Sequence, residues 1–326
     1  MRLVDSLKGM QREEDVFHCT PFSFLHYYNK PFFDKEWIGR NVLKFTLPSI
    51  KKILINYGFI DVDVLWISDF LSAYYLTKIV MYRKLVLRIA DDNAAFSNSP
   101  QSVEDIQRKL IKKADYVFVT GKNLMNYQEP DKQKFAYLPN GVDIDHFRKK
   151  FETPEEYKTI TSPRVLFVGL IYDWFDKDLL KYIASELPDH NFILVGSSNT
   201  DVSDLKAVKN IHFLGPRNYE VIPGYMQHAD VGIIPFKVNQ LTNSVSPIKL
   251  FEYFAAGLPV VSTDFFEIRQ MRSPATLARD PSEFLQAVVE AIRRKESRKQ
   301  DFLDFAQENS WDRRFSIVRE KVLSTL

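Results

Sequence analysis

One cysteine, Cys19, stands in 326 residues. No intrachain disulfide framework can form, and a reducing cytoplasm is the expected setting. Cys19 lies in the apolar run VFHCTPF and reads as a core residue rather than a nucleophile. Charge of one sign is also lacking: 44 Lys and Arg against 42 Asp and Glu leave a net +2, with no strong basic field to grip nucleic acid. No run reaches the roughly 18 uncharged apolar residues of a membrane span. The opening MRLVDSLKGMQREED has no apolar segment of the kind a secretory leader carries. A GxGxxG dinucleotide fingerprint, a repeat at solenoid spacing and a low-complexity tract are likewise missing. No metal site is expected. IDVDVLW holds an Asp-x-Asp by spelling only, since it enters an apolar strand, and His18, His146 and His228 lack ligand spacing. These histidines read as structural, with His146, beside the hinge described below, the one to follow.

What the chain has instead is ordinary globular stuff with an unusual aromatic load. With 45% hydrophobic and 26% charged residues it is long enough for two cores. Its 26 Phe and 15 Tyr partly cluster with basic residues, in FLHYYNKPFF and AYYLTKIVMYRKLVLR. Two readings stay open for these clusters: core packing with snorkelling Lys and Arg, or a surface that rests on an anionic membrane leaflet.

Short apolar runs at 62–68, 84–90, 114–120, 164–171, 191–198, 210–216 and 231–236 alternate with helical stretches such as SVEDIQRKLIKKA, whose Ser102 is placed as an N-cap. The runs are continuous rather than alternating, which predicts strands buried on both faces of parallel sheets. The stretch 137–164 is polar, carries Pro-Asn-Gly and has no sustained apolar period, so it predicts a linker. The expected class is α/β with two Rossmann-like domains facing across a cleft. The expected division is 1–147, a linker at 148–162, 163–310, and a closing helix at 311–326 that packs back on the first domain. Ser310 should cap that last helix, and Phe315, Val318, Val322 and Leu323 should form its buried stripe.

The most informative stretch is SVSPIKLFEYFAAGLPVVST, residues 244–263, read as loop, helix and buried strand. Ser246 and Pro247 suit an N-cap and first helical residue, so a helix from 247 to 256 would aim its N–H groups at the edge of a sheet, where anions bind. A cation in the first turn is unfavourable there unless an anion faces it, so Lys249 predicts a bound diphosphate. Glu252 would accept two ribose hydroxyl protons. Gly169, ending a strand, would let backbone approach a phosphate. The plain alternative is a surface Lys and Glu on an amphipathic helix.

That stretch resembles the donor-binding signature of GT-B glycosyltransferases, especially bacterial family-four-like enzymes and the related glucuronosyltransferases. ADYVFVTGKNL, LPNGVDIDHF, RVLFVGLIYDWFDKDLLKYIASELPDHNFILVGSS, IHFLGPRNYEVIPGYMQHADVGIIPF and SWDRRF resemble further family segments in order and spacing, over roughly residues 60–326. The resemblance implies sugar transfer from a nucleotide diphosphate sugar to a polysaccharide, glycolipid or glycoprotein, with no metal or other cofactor. It implies that Glu252 holds the ribose and that the main chain from Gly215 to Arg217 holds the base. Lys249, with amides around Ser246 and Gly169, would neutralise the leaving diphosphate.

Two departures stand out. Many family-four members carry a Glu eight positions before the ribose-binding one, and here that position is Ser244. A hydroxyl cannot stabilise an oxocarbenium-like centre as a carboxylate does, so inverting and retaining outcomes both stay open. The opening lacks the usual strand, glycine-rich loop and helix, with no such opening strand expected before residue 16. Either the first domain is abbreviated or an original beginning is missing. Asp91 and Asp92, after the strand in LRIADDNAAF, are the candidates for the base, Asp91 ahead of Asp92; the plain alternative is a helix N-cap pair. Two other functions are weighed: a non-catalytic nucleotide-sugar-binding subunit, which Ser244 and the short first domain favour, and an epimerase, for which no acid–base set is seen.

Overall fold

The computed structural model describes residues 10–68, 73–92, 99–100, 102–127 and 132–325. The chain divides into two compact units, one running to Leu138 and including the segment from Val318 onward, the other Pro139–Ile317.

The first unit opens on two antiparallel ribbons. β1 (Gln11–Glu13) pairs with β2 (Val16–His18), and β3 (Phe22–Ser23) with β4 (Thr46–Leu47). β1 precedes residue 16, but it is not the opening strand of a parallel sheet, so the expectation of no such strand there holds among the described residues. β1 turns back at Glu14, whose φ of 53° is left-handed, and pairs antiparallel instead of joining the main sheet. That sheet is parallel, in the order β5 (Asp61–Ile67), β6 (Met81–Ile89), β7 (Tyr116–Val119), β8 (Phe135–Tyr137). Leu85, Leu87 and Ile89 of β6 and Val117 and Val119 of β7 are buried. They pack on Ile106, Leu110 and Ile111 of the helix Val103–Lys113, whose apolar residues recur at helical spacing. Ser102 stands at the N-cap position, but its hydroxyl makes no cap bond. It donates to the Asp34 carbonyl at 2.5 Å and pairs with the Tyr27 hydroxyl at 2.9 Å.

The two aromatic-basic clusters part company. In AYYLTKIVMYRKLVLR, Tyr74 and Leu85–Leu87 are core. In and beside FLHYYNKPFF, the rings of Phe24, Phe32, Trp37 and Phe45 are exposed. Cys19 is only half-buried, and burial pushes its thiol up, which makes it a poor nucleophile.

The second unit carries a six-stranded parallel sheet in the order β11-β10-β9-β12-β13-β14. Its strands are β9 (Arg164–Val168), β10 (Asn191–Val195), β11 (Ile211–Gly215), β12 (Val231–Ile234), β13 (Val260–Thr263) and β14 (Thr276–Ala278). The order reverses direction between β9 and β12, the crevice where open α/β sheets bind ligands. Residues 148–162, read as a linker, are part of this unit. Tyr157 and Ile160 are buried in its core, and the Tyr157 hydroxyl donates to the Tyr225 carbonyl at 3.2 Å. A segment of mostly polar residues is anchored by two well-placed apolar ones.

Ser310 caps the helix Trp311–Lys321 as expected, accepting from the Arg313 N–H at 3.3 Å. The expected apolar stripe is not buried: Phe315 and Leu323 are exposed, and only Val322 among the four is enclosed. The buried side chain of that helix is Arg314, whose guanidinium donates to the Asn140 carbonyl at 3.2 Å and to the Asn309 side chain. Polar bonds to the Asn140 turn hold this helix where a hydrophobic face was expected.

Candidate functional site

Three glycines stitch the carboxyl ends of β9, β10 and β11. The Gly169 N–H donates to the Val195 carbonyl and the Gly196 N–H to the Gly215 carbonyl, both at 2.9 Å. A Cβ on Gly196, whose φ is +142°, would lie 1.9 Å from the Gly169 oxygen, so only glycine fits. Gly215, at φ +71°, faces open space. Glycine backbone is thus exposed at Gly215, where nothing lies within 4 Å of a Cβ, as close approach by a phosphate or base requires.

The helix that crosses this sheet edge runs Ile248–Ala255. Pro247 is its N-cap residue, with ψ 105°, and Ser246 lies outside it. This corrects the expectation that Ser246 caps and Pro247 opens the helix. The residue before a proline is pushed toward extended backbone. Ser246 is bound instead to Asn140 of the Pro-Asn-Gly turn: its hydroxyl accepts the Asn140 N–H at 3.2 Å and its carbonyl accepts the Asn140 amide at 2.7 Å.

Lys249 and Glu252 are brought together on one face of the helix. Lys249 Nζ lies 2.5 Å from Glu252 Oε2. Glu252 is 3% exposed. Burial pushes its carboxyl above the usual range, and the Lys249 ammonium opposes that rise. A surface Lys and Glu would not show this burial, so the plain alternative is set aside. The expectation that only an outside anion could face Lys249 also needs correction, because Glu252 supplies one. Beside this pair, the His146 ring stacks on Tyr219 with centroids 4.4 Å apart, and an imidazole nitrogen lies 3.1 Å from the Tyr219 carbonyl. Burial and the nearby Glu252 and Asp143 charges push the Tyr219 phenol up to about 12.

The Arg217 side chain is paired within the second unit. Its guanidinium donates to Glu156 Oε1 at 2.6 Å and to the Tyr225 hydroxyl at 3.0 Å. The Arg217 hydrogen bond draws the Glu156 carboxyl below its usual range. The side chain buttresses the loop after β11, which leaves the main chain as its presenting surface. Ser244 is buried in the short helix Thr242–Ser244, and its hydroxyl lies 3.3 Å from the Gln240 carbonyl.

In the first unit, Asp91 and Asp92 follow the carboxyl end of β6. Burial pushes the Asp91 carboxyl up, with the Arg88 charge opposing. Asp92 is buried. The alternative of a helix N-cap pair falls on residues 93–98, which lie outside the described residues.

Sequence reasoning missed three features of this site: Asn140, the Glu156–Arg217–Tyr225 cluster, and Tyr253, taken up below. Only Asn140 had a local signal, its place in Pro-Asn-Gly. A cavity of about 790 Å³ lies elsewhere in the second unit, lined by Asp176, Tyr182, Phe236, Asp264 and Arg279 among others, and by none of the candidate donor residues.

Comparison with known proteins bears on the fold and on the class of the second unit. The model of the family "Glycosyl transferases group 1" matches residues 162–294. Solved structures of 14–16% identity share the fold. Sucrose-phosphate synthase from Thermosynechococcus elongatus superposes with a TM-score of 0.69 over 97% of this chain and 86% of its own, at 14% identity. Anabaena HepE in complex with UDP and glucose gives 0.59 over 85% and 77%, at 16% identity. The fold is that of the GT-B glycosyltransferases, two Rossmann-like α/β units, and the second unit carries the group 1 match.

Among curated proteins, the chain is similar to the Bacillus subtilis (strain 168) "Putative teichuronic acid biosynthesis glycosyltransferase TuaH". The two are 32% identical over 186 residues, 53% of this chain and 46% of that protein. The chain thus matches about half the length of that relative.

Proposed function

We propose that this protein transfers a sugar from a nucleoside diphosphate sugar to a saccharide, lipid-linked or protein acceptor, without a metal ion. The observation that carries this is the Lys249–Glu252 pair, a buried carboxylate and an ammonium side by side on the helix within the group 1 match. In this reading the ribose hydroxyls take over Glu252, and the released ammonium turns to the diphosphate. The bond from the sugar's anomeric carbon to the diphosphate breaks, and its electron pair leaves with the phosphate. Lys249 and the rim amides near Gly169 stabilise that growing charge. The acceptor oxygen bonds the anomeric carbon, and Asp91 takes its proton. Burial raises its carboxyl and so makes it a stronger base than an ordinary aspartate.

The name of the Bacillus relative favours a polysaccharide acceptor, and the HepE complex makes UDP the first nucleotide to try. UDP-glucose and UDP-glucuronate separate hexosyl from glycuronosyl transfer. The test is release of nucleoside diphosphate from labelled donor in the presence of candidate acceptors. Wild type should release it equally with and without EDTA, and Asp91→Asn should keep nucleotide binding while losing transfer. No release with any donor, together with unchanged nucleotide binding by Lys249→Ala, would refute the reading.

We also place the protein at the inner face of the membrane, held peripherally. No helix among the described residues is long and apolar enough to cross a membrane. The exposed Phe24, Phe32, Trp37 and Phe45, with Lys44 over the Phe45 ring and Lys30 over that of Tyr28, support contact with an anionic leaflet. Co-sedimentation with anionic vesicles at low salt is expected to fall severalfold in Phe32→Ser/Trp37→Ser. Equal pelleting of wild type with neutral vesicles, or none with anionic ones, would remove the idea.

A further inference from the structure

The Lys249–Glu252 helix has to be held in register with the rim it serves, and the sheet itself does not do this. β9 is a central strand, so its residues alternate between neighbours. The Gly169 N–H faces β10, where it reaches the Val195 carbonyl. The Val168 N–H therefore faces β12. Pairing between β9 and β12 stops at Leu166, opposite Gly232, because the strands part at the switch point. A buried donor is left at the place where the crevice opens.

Tyr253 fills that place. Its hydroxyl accepts the Val168 N–H at 2.8 Å and lies 3.4 Å from the Leu166 carbonyl. The phenol thus supplies what one more residue of β12 would have supplied. Its ring is fully buried and packs directly on β12: a Cβ on Gly232 would come within 2.8–3.0 Å of three ring carbons. Tyr253 also directly follows Glu252 in the helix. One side chain therefore ties the helix to the last residue of β9, and Gly169 is the next residue along.

We propose that Tyr253 is the positioning residue that sets the Lys249–Glu252 helix against the Gly169 rim, a role that rests on the glycosyl-transfer reading above. It touches no substrate. Its hydroxyl fixes the distance between the groups that hold the ribose and those that meet the diphosphate, and small displacements in such arrangements cost heavily.

Tyr253→Phe keeps the ring and deletes the bond. Tyr157→Phe is the control, because it removes another buried hydroxyl from the same core, one whose hydrogen bond goes to the Tyr225 carbonyl rather than to the helix or β9, and it keeps the ring that Arg164 of β9 rests on. Two measurements are made on the whole chain: amide hydrogen exchange at Val168, and UDP affinity by calorimetry. In Tyr253→Phe, exchange at Val168 should speed up about tenfold or more, and UDP should bind about tenfold more weakly. In Tyr157→Phe both should stay at the wild-type value. Unchanged exchange at Val168 overturns the proposal whatever UDP does. Equal weakening of UDP binding in both variants also overturns it, since loss of stability would then explain everything. If wild type binds UDP and Tyr253→Phe binds it equally well, the positioning role alone fails. If wild type binds no nucleoside diphosphate, the glycosyl-transfer reading fails and this role falls with it.

Discussion

Lys249→Ala is expected to lower the rate of transfer by about 10²–10³-fold, the usual cost of removing one preorganised group from a site where negative charge develops. The loss should fall mainly on turnover, because the diphosphate carries more charge as it leaves than in the bound donor. The same substitution has a second consequence. It strips Glu252, which is 3% exposed, of the ammonium 2.5 Å away. A buried carboxylate left without its partner should cost about 2 kcal/mol at pH 7, a figure reduced because the Lys249 side chain is itself 27% exposed. That penalty should shrink as pH falls and Glu252 protonates. Melting curves of wild type and variant from pH 4 to 8 would measure it. A gap that stayed constant across that range would show that the ammonium is not what balances Glu252.

Glu252→Ala is expected to weaken nucleotide binding by about 100-fold. Two hydrogen bonds to a charged group are lost, each worth roughly 1.5–3 kcal/mol, and part of that is recovered by water. Calorimetry with UDP would show it, and deoxynucleotide controls would locate the loss at the ribose.

Stability should move the other way in Glu252→Gln, and the sign follows from burial. The folded carboxyl is pushed above its ordinary value near about 4.3. Such a group contributes stability that is fully present below the unfolded value and is lost as pH rises through the folded one. At pH 7 the wild-type protein bears that loss, and the neutral amide of the variant does not. The variant should therefore melt at or above wild type at pH 7, with its advantage gone below about pH 4. A variant that melted lower at pH 7 would place the dominant role of Glu252 in structure rather than in ligand binding. A site kept at a cost to stability is what a binding function leads one to expect.

How much of this could be read beforehand differs by element. The strands at 116–119, 164–168 and 191–195 were legible because their continuous apolar runs are buried on both faces. By contrast, 61–67 and the first half of 81–89 form strands as expected but alternate exposed with half-buried residues, since β5 is an edge strand. The helix at 248–255 was legible too, within one residue at its end, because the run IKLFEYFA has helical spacing and stops at Ala-Ala-Gly. Its start was misread. A Ser-Pro step looks like a cap from local rules, and nothing nearby in sequence announces that Ser246 belongs to Asn140, 106 residues earlier. The stretch 148–162 was misread for a related reason: Tyr157 and Ile160 are too few to make a period, yet two side chains suffice to anchor a loop. The last helix shows the converse error, a one-sided apolar spacing that the fold left exposed at Phe315 while burying Arg314.

The sequence by itself determined which segments are buried strands, which helix carries the paired ammonium and carboxylate, and the resemblance that directs attention there. These depend on residues within a turn or two of one another, and local spacing encodes them. Only the tertiary structure decided that Glu252 is buried, that Arg217 is tied to Glu156, and that the Tyr253 hydroxyl completes β9 at Val168. Each of these depends on which strands become neighbours and where they part. Partners that lie 61 and 85 residues apart meet only once the sheet order is set.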